Sequence, residues 1–211
     1  MKKNLRQLLR LYLIIDLNLC GNAGLLETVR QAISGGVTMV QLRHKDGTTD
    51  DRVKMAMSLK PILANSGIPL IINDDIEAAV AVNAAGAHVG QNDMLPHEAK
   101  RLLGPDRILG LSCETEDHIQ LLNLDSVDYI GIGPVFSTDS KSDHAQPIGF
   151  DGLAKLINLS PVPTVAIGGL KAIHMNRVFA AGADGVAVIS AICGQPDPAA
   201  SARAFFKVNE R

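Results

Sequence analysis

The feature that most constrains this chain is the regular alternation of two apolar patterns along its length. Short runs rich in Val, Ile and Leu, which are typical of buried strands, are separated by longer stretches with helical apolar periodicity. The predicted strands are eight in number and cover 11–16, 39–43, 69–74, 87–90, 108–113, 128–133, 164–169 and 185–190. The predicted helices lie near 24–34, 49–65, 76–84, 96–103, 115–124, 150–159, 171–180 and 197–208. Each predicted strand is therefore followed by one predicted helix.

Strands that are apolar on both faces belong to parallel sheets covered by helices. Eight strand–helix units in 211 residues predict an α/β fold, a small (β/α)₈ TIM barrel that forms a single domain over 1–211. The basic segment 1–10 is expected to be a tail or a short helix before the first strand. Pro61 is expected to kink or end the second helix. A doubly wound open sheet is the alternative, although no GxGxxG motif opens a helix after the first strand.

Composition and charge exclude several classes of protein. Aromatic residues make up 3% of the chain and the net charge is −2, so neither base stacking nor bulk attraction to nucleic acid is expected. No apolar run is long enough to span a bilayer. Arg10 and Asp16 interrupt the N-terminal apolar stretch, which argues against a signal peptide. The 3 cysteines, without a CxxC pair, indicate neither a disulfide framework nor a zinc site and predict a cytoplasmic protein.

Polar side chains gather where the predicted strands end, which is the face that carries the active site in a barrel. The residues that fall there are Gln41, Arg43, His44, Lys45, Asn73, Asp74, Asp93, Ser112, Thr138, Asp139, Ser140, Lys141, Gly168, Gly169 and Ser190. Cations and carboxylates that converge in one mouth suit a diphosphate bound together with Mg²⁺. Glycines after the seventh strand suit a second phosphate site made of backbone N–H groups. The sequence therefore predicts two phosphorylated substrates, one of them bound with Mg²⁺.

Seven segments of the chain resemble the thiamine phosphate synthase family. They are VQLRHK, LIINDD, GAHVGQNDM, GLS, YIGIGPVFSTDSK, VAIGGL and ADGVAVISAI, and together they extend over nearly the whole chain. The resemblance implies a transferase that joins an aminopyrimidine methyl diphosphate to a thiazole phosphate, giving thiamine phosphate and diphosphate. It also implies a dissociative reaction, in which diphosphate leaves first and the thiazole nitrogen then traps a pyrimidine cation.

The resemblance also implies roles for individual residues. The pyrimidine diphosphate would be held by Gln41, Arg43, Lys45, Asn73, Ser112 and Lys141. Mg²⁺ would be bound by Asp74 and Asp93. The thiazole phosphate would be held by Thr138, Ser140, Gly169, Ile189 and Ser190. The substrate-binding set is completed by Leu42, His44 and Asp139. The catalytic set, which stabilises charge on the leaving diphosphate, would be Arg43, Lys45, Lys141 and Ser112.

Other polar or reactive residues have simpler interpretations. Asp75 is expected to cap the third helix, His88 to be a core or helix-facing residue, and Cys113 to be a small buried hydrophobe. The polar, aperiodic segment 135–148 is expected to form an active-site lid. Glu114, Ser137 and Asp139 depart from the family pattern, which leaves the substrate affinities open.

Three alternative functions stay open at this stage. A thiazole tautomerase would keep the thiazole phosphate site but need neither Mg²⁺ nor a diphosphate pocket. A phosphosugar isomerase would need an acid–base pair, and Asp16 is the spare carboxylate on the first strand. A non-catalytic barrel would only bind thiamine precursors. In each case the expected partners are small molecules, with no nucleic acid and no membrane, and a homo-oligomer is plausible.

Overall fold

The computed structural model of the protein describes residues 4–138 and 146–207. Within them, eight parallel strands close into a barrel in which β8 pairs back with β1. The strands are β1 (Leu11–Asp16), β2 (Met39–Arg43), β3 (Leu70–Asn73), β4 (Gly86–Val89), β5 (Ile108–Cys113), β6 (Tyr129–Ile132), β7 (Thr164–Ile167) and β8 (Gly185–Val188). All other neighbours in the barrel are consecutive in sequence. The predicted (β/α)₈ barrel is confirmed.

Helices α2 to α9 cover the outside of the barrel, and short 3-10 turns precede α2 and α8. The helices are α1 (Leu5–Leu8), α2 (Gly24–Ser34), α3 (Thr49–Ser66), α4 (Ile76–Ala81), α5 (Pro96–Leu103), α6 (Glu116–Gln120), α7 (Gly149–Leu159), α8 (Met175–Ala180) and α9 (Pro198–Lys207). Five strands, β3, β4, β6, β7 and β8, end earlier than predicted. In β3 and β7 the next residue has a left-handed backbone: Asp74 has a φ of 62° and Gly168 a φ of 96°. None of the described helices is both long and apolar enough to cross a bilayer.

The second predicted helix runs through its proline. Pro61 lies inside α3, which continues to Ser66, so the expectation that it ends the helix is wrong. Proline removes the N–H that would reach the carbonyl of the residue four positions earlier. That residue is Met57, which is 54% exposed, so water can satisfy its carbonyl instead.

Strand side chains alternate between two apolar layers, as the period of two in a strand requires. Outward-facing residues such as Leu13 and Leu42 are buried against the helices. Inward-facing residues such as Tyr12, Met39 and Tyr129 fill the barrel interior, together with Leu5 and Leu9 from the α1 region. The packed interior leaves the carboxyl ends of the strands as the open mouth. The same alternation brings side chains from different strands together there.

Candidate active site

Two carboxylates lie together at the mouth of the barrel. Asn73 Nδ2 donates a hydrogen bond to Asp74 Oδ2 at 2.5 Å, and the Gly90 N–H donates to Asp93 Oδ2 at 2.7 Å. Burial and the hydrogen-bonded Asp93 carboxyl raise the pKa of Asp74 from 3.8 to about 7. A pKa raised in this way means that the two negative charges repel each other in a partly dry site. A cation placed between them would remove that repulsion.

The carboxylate pair matches the ligands that Mg²⁺ takes in proteins. Among the residues that the structure describes, no group of three or more His, Cys, Asp and Glu side chains could hold a metal ion. A zinc-type cage is therefore not present in this part of the chain. Mg²⁺ is commonly held by one or two carboxylates and completes its shell with water and phosphate oxygens. Asp74 and Asp93 could supply the two carboxylates of such a site.

Arg43 is fixed beside this pair by a carboxylate from the neighbouring strand. In the parallel register of β1 and β2, Asp16 lies opposite Arg43, and the guanidinium NH1 donates to Asp16 Oδ2 at 2.5 Å. The two side chains are 13% and 8% exposed. Arg43 also lowers the pKa of Asp74, so its charge reaches the carboxylate pair. Because Asp16 is engaged with Arg43, it is not the spare carboxylate that a phosphosugar isomerase would need.

A chain of polar side chains crosses the barrel interior below the mouth. Gln41 Nε2 donates to the Tyr12 hydroxyl at 2.7 Å, and the Tyr12 and Tyr129 hydroxyls are 3.0 Å apart. The Tyr129 hydroxyl lies 2.9 Å from His88 Nδ1, and His88 Nε2 lies 3.0 Å from Ser112 Oγ. This chain connects two predicted site residues, Gln41 and Ser112, through three residues that were not predicted to belong to the site.

The alternation of inward-facing and outward-facing positions along each strand would have identified these residues. His88 pairs in register with Asn73, and Tyr129 with Gly110, so both occupy inward positions of the barrel. The expectation that His88 is a core residue is met, but it faces the barrel interior and not the helices. Polar atoms on inward positions of several strands meet in a barrel, although they are far apart in the sequence.

The residues that follow Gln41, on β2 and in the turn after it, are placed differently from one another. Leu42 is fully buried in the layer between barrel and helices, so the structure does not bring its side chain into the mouth. His44 is half-buried, with Nδ1 unpaired within the described part of the chain. Its ring lies over Gly47, where an added Cβ would come within 2.0 Å of it. Lys45 is exposed in the turn that follows β2.

The loops after β6 and β7 are held together at the opposite side of the mouth. The Phe136 N–H donates to the Gly168 carbonyl at 3.0 Å. Gly169 has a φ of 62°, and a Cβ on it would lie 2.7 Å from both the Phe136 Cβ and the Ser137 carbonyl oxygen. Only glycine fits this position without strain. Thr138, predicted to bind the thiazole phosphate, is half-buried at the end of the same loop.

The loop after β8 completes this side of the mouth. Ile189 is half-buried, Ser190 is exposed, and the Ser190 carbonyl accepts a hydrogen bond of 2.8 Å from Gln195 Nε2. The two ends of the predicted lid lie next to each other, since the Ile148 N–H donates to the Pro134 carbonyl at 2.9 Å. Three of the predicted site residues, Asp139, Ser140 and Lys141, lie outside the described residues.

Two of the simpler interpretations are confirmed. Asp75 caps α4 by accepting from the Ala78 N–H at 2.8 Å, and it also accepts from Arg52 NH1 at 2.9 Å. Cys113 is fully buried, and this burial raises the pKa of its thiol to about 12. Neither side chain is therefore available to a substrate.

Comparison with known proteins identifies close relatives. A relative from Psychrobacter sp. (strain PRwf-1) named thiamine-phosphate synthase is 46% identical over 193 residues, covering 90% of each chain. One of the same name from Azorhizobium caulinodans is 45% identical over 202 residues, covering 96% of this chain and 95% of that protein. The solved thiamine phosphate pyrophosphorylase from Pyrococcus furiosus matches with a TM-score of 0.87 and 33% identity over 97% of both chains.

A more distant neighbour shares the fold alone. It is a 3-hexulose-6-phosphate synthase, 18% identical with a TM-score of 0.67 over 93% of this chain and 97% of that one. By contrast, the family model described as Thiamine monophosphate synthase matches residues 11–192, which is most of the barrel. The resemblance stated from the sequence is thereby confirmed, together with the prediction of a transferase. The chain belongs to the thiamine monophosphate synthase family.

Proposed function

We propose that the protein transfers an aminopyrimidine methyl group from its diphosphate to a thiazole phosphate, producing thiamine phosphate and diphosphate in a Mg²⁺-dependent reaction. The observation that carries this proposal is the Asp74–Asp93 carboxylate pair beside Arg43 at the barrel mouth. Relatives named thiamine-phosphate synthase over nine-tenths of the chain or more support the choice of substrates.

Asp74 and Asp93 are the residues that would hold Mg²⁺. When bound, Mg²⁺ would withdraw negative charge from the diphosphate oxygens and so favour departure of the leaving group. The two carboxylates contribute by presenting adjacent oxygens at the mouth, where substrate oxygens can complete the metal shell. A thiazole tautomerase would have no use for such a pair, so this observation favours the synthase.

The protein's own cations would stabilise the leaving group from the other side. Arg43 has five N–H donors, of which the ion pair with Asp16 uses one, so others remain for phosphate oxygens. Lys45, and Lys141 from the predicted lid, would add point charges. Removing one preorganised charge of this kind costs about 3 kcal/mol, or roughly a hundredfold in rate.

The proposed chemistry is dissociative. The bond between the methylene carbon and the diphosphate oxygen breaks, and both electrons leave with the oxygen. The thiazole ring nitrogen then donates its lone pair to the methylene carbon and forms the new bond. No protein nucleophile is required, so the site serves to hold the two substrates, stabilise charge and exclude water.

The second substrate would occupy the glycine side of the mouth. Backbone N–H groups near Gly169 and Ser190 would bind the thiazole phosphate, and the left-handed backbone of Gly169 permits close approach of an anion. The Thr138 hydroxyl would add a further donor.

A cytoplasmic location, which the 3 free cysteines favour, stays a prediction.

The test is product formation from the purified protein. Both substrates and Mg²⁺ are incubated with the enzyme, and thiamine phosphate is measured by fluorescence after oxidation to a thiochrome. Asp93→Asn removes a charge but keeps an oxygen for the Gly90 N–H, and we expect it to lose at least about a hundredfold in rate. The matched control, Asp106→Asn, makes the same change at an exposed carboxylate near the amino end of β5 and should leave the rate unchanged. No product from folded protein would refute the proposal.

A further inference from the structure

When His88 is neutral, the hydrogen-bonded series of side chains from Gln41 to Ser112 inside the barrel has two arrangements that leave no phenol hydrogen unpaired. The Tyr12 hydroxyl lies between Gln41 Nε2 and Tyr129, and the Tyr129 hydroxyl lies between Tyr12 and His88 Nδ1. A phenol has one hydrogen to donate, and leaving that hydrogen without an acceptor in the buried interior costs free energy, so each tyrosine donates to one of its two neighbours and accepts from the other. Both phenols are fully buried, and burial raises the pKa of each well above its ordinary value, so both keep their hydrogens. The direction of the hydrogen bond between Gln41 and Tyr12 therefore determines the direction of the hydrogen bond between Tyr129 and His88.

The orientation of Gln41 selects one of these two arrangements. Its Nε2 group donates to Tyr12, which must then donate to Tyr129, which must donate to His88 Nδ1. A neutral imidazole that accepts at Nδ1 carries its hydrogen on Nε2 and donates it to Ser112 Oγ. The hydrogen of Ser112 is then free to point elsewhere. The opposite arrangement would require the Gln41 amide to rotate and the imidazole hydrogen to move to Nδ1.

We propose that Tyr12, Tyr129 and His88 are positioning residues whose hydrogen-bond order makes Gln41 an acceptor and Ser112 a donor toward the pyrimidine ring. This inference rests on the proposed function for its substrate, and it deepens that function by naming what selects the ring. An aminopyrimidine carries an exocyclic amine, which donates, beside ring nitrogens, which accept. The analogue with a carbonyl oxygen in place of the amine has the opposite polarity.

The consequence is discrimination between two rings of nearly the same shape. The oxo analogue meets an acceptor where it needs a donor, unless the whole chain from Gln41 to Ser112 reverses. Sites that hydrogen-bond a substrate reject a mismatched analogue strongly, because buried polar groups are left unpaired. We expect wild-type kcat/KM for the aminopyrimidine diphosphate to exceed that for the oxo analogue by at least about a hundredfold.

The first test does not depend on activity. Nitrogen-15 NMR of histidine-labelled protein, with the His88 signals assigned by their loss in His88→Gln, reports which ring nitrogen carries the hydrogen. We expect a protonated Nε2 and a hydrogen-bonded, unprotonated Nδ1. In Gln41→Glu the carboxylate can only accept from Tyr12, so the order reverses and the hydrogen moves to Nδ1. A protonated Nδ1 in the wild type, or no change in Gln41→Glu, would overturn the inference.

The second test interrupts the hydrogen bonds between Gln41 and Ser112 but leaves both of these residues in place. Tyr129→Phe removes only the hydroxyl that connects Tyr12 with His88. We expect KM for the aminopyrimidine diphosphate to rise about tenfold, kcat to change less than about twofold, and discrimination against the oxo analogue to fall by about tenfold. The control is Ile108→Val, which changes another buried residue of the barrel interior that takes no part in these hydrogen bonds. It should leave discrimination against the oxo analogue unchanged. Unchanged discrimination in Tyr129→Phe would contradict the proposed positioning.

The two proposals fail in different ways. If the wild type makes no thiamine phosphate but His88 carries its hydrogen on Nε2, the proposed function is wrong and the hydrogen-bond order stands. If product forms but the hydrogen is on Nδ1, the inference about specificity is wrong and the proposed function stands. The wild-type spectrum alone decides the order, should a variant fail to fold.

Discussion

Replacing Asp74 by asparagine should stabilise the metal-free protein while it abolishes activity. Asn fits the site because it tolerates the left-handed backbone at this position, where φ is 62°, and its oxygen can still accept from Asn73 Nδ2. What it removes is the negative charge that lies against Asp93. The expected gain in stability comes from relief of that repulsion.

The size of the gain follows from the pKa of Asp74. Its rise from 3.8 to about 7 means that folding favours the neutral form, so stability falls as pH rises from about 4 through about 7. Three pKa units correspond to an upper limit of about 4 kcal/mol. Because Asp74 is half-buried and the two carboxyls share the effect, we expect about 1–2 kcal/mol above pH 7. In a domain of this size that is roughly 3–6 °C in Tm.

Thermal unfolding of wild type and Asp74→Asn, with EDTA and then with Mg²⁺, measures this directly. With EDTA the variant should melt at the higher temperature. Mg²⁺ should raise the Tm of the wild type, because a ligand of the native state stabilises it, and should have little effect on the variant. A variant that melts below the wild type in EDTA would contradict the repulsion between Asp74 and Asp93. An equal response of both proteins to Mg²⁺ would refute their assignment to the metal.

Three further predictions follow from the site. Asp16→Asn keeps the shape of the partner of Arg43 but removes its charge, and we expect kcat to fall about tenfold in steady-state kinetics; an unchanged kcat would show that Asp16 does not position Arg43. Gly169→Ala places a Cβ 2.7 Å from Phe136 and Ser137. We expect KM for the thiazole phosphate to rise more than about tenfold, and KM for the aminopyrimidine diphosphate to change little. The thiol of Cys113, with a pKa of about 12, should resist iodoacetamide in native protein at pH ~8 and react once the chain is unfolded; fast native labelling would contradict its burial.

The sequence predicted the fold well because the barrel depends on a repeated pattern. Eight buried apolar runs, each followed by helical periodicity, leave few parallel architectures, and the observed bounds of β1, β2 and β5 equal the predicted ones. Three of the errors came from single residues. Asp74 and Gly168 end their strands through left-handed backbone, and Pro61 is tolerated because its helical turn faces solvent. Such local conformations are not visible in an apolar pattern.

The sequence predicted part of the site for a similar reason. Strand ends meet at one face of a parallel barrel, so Arg43, Asp74 and Asp93 were expected together, and the structure places them together. The tyrosines and His88 were not expected at the site, because a buried polar residue within a strand looks like ordinary core until its inward neighbours are known. Leu42 shows the converse error, since it follows a site residue in sequence but points to the opposite face.

The most direct test of the proposed Mg²⁺-dependent transfer is phosphorus NMR of one reaction that contains the protein, Mg²⁺ and both substrates. We predict that diphosphate and thiamine phosphate appear in equal amounts, at the same rate, and that EDTA stops both. Diphosphate released without thiamine phosphate would show that the site does not deliver the pyrimidine cation to the thiazole. Product formed at full rate in EDTA would contradict the role given to Asp74 and Asp93.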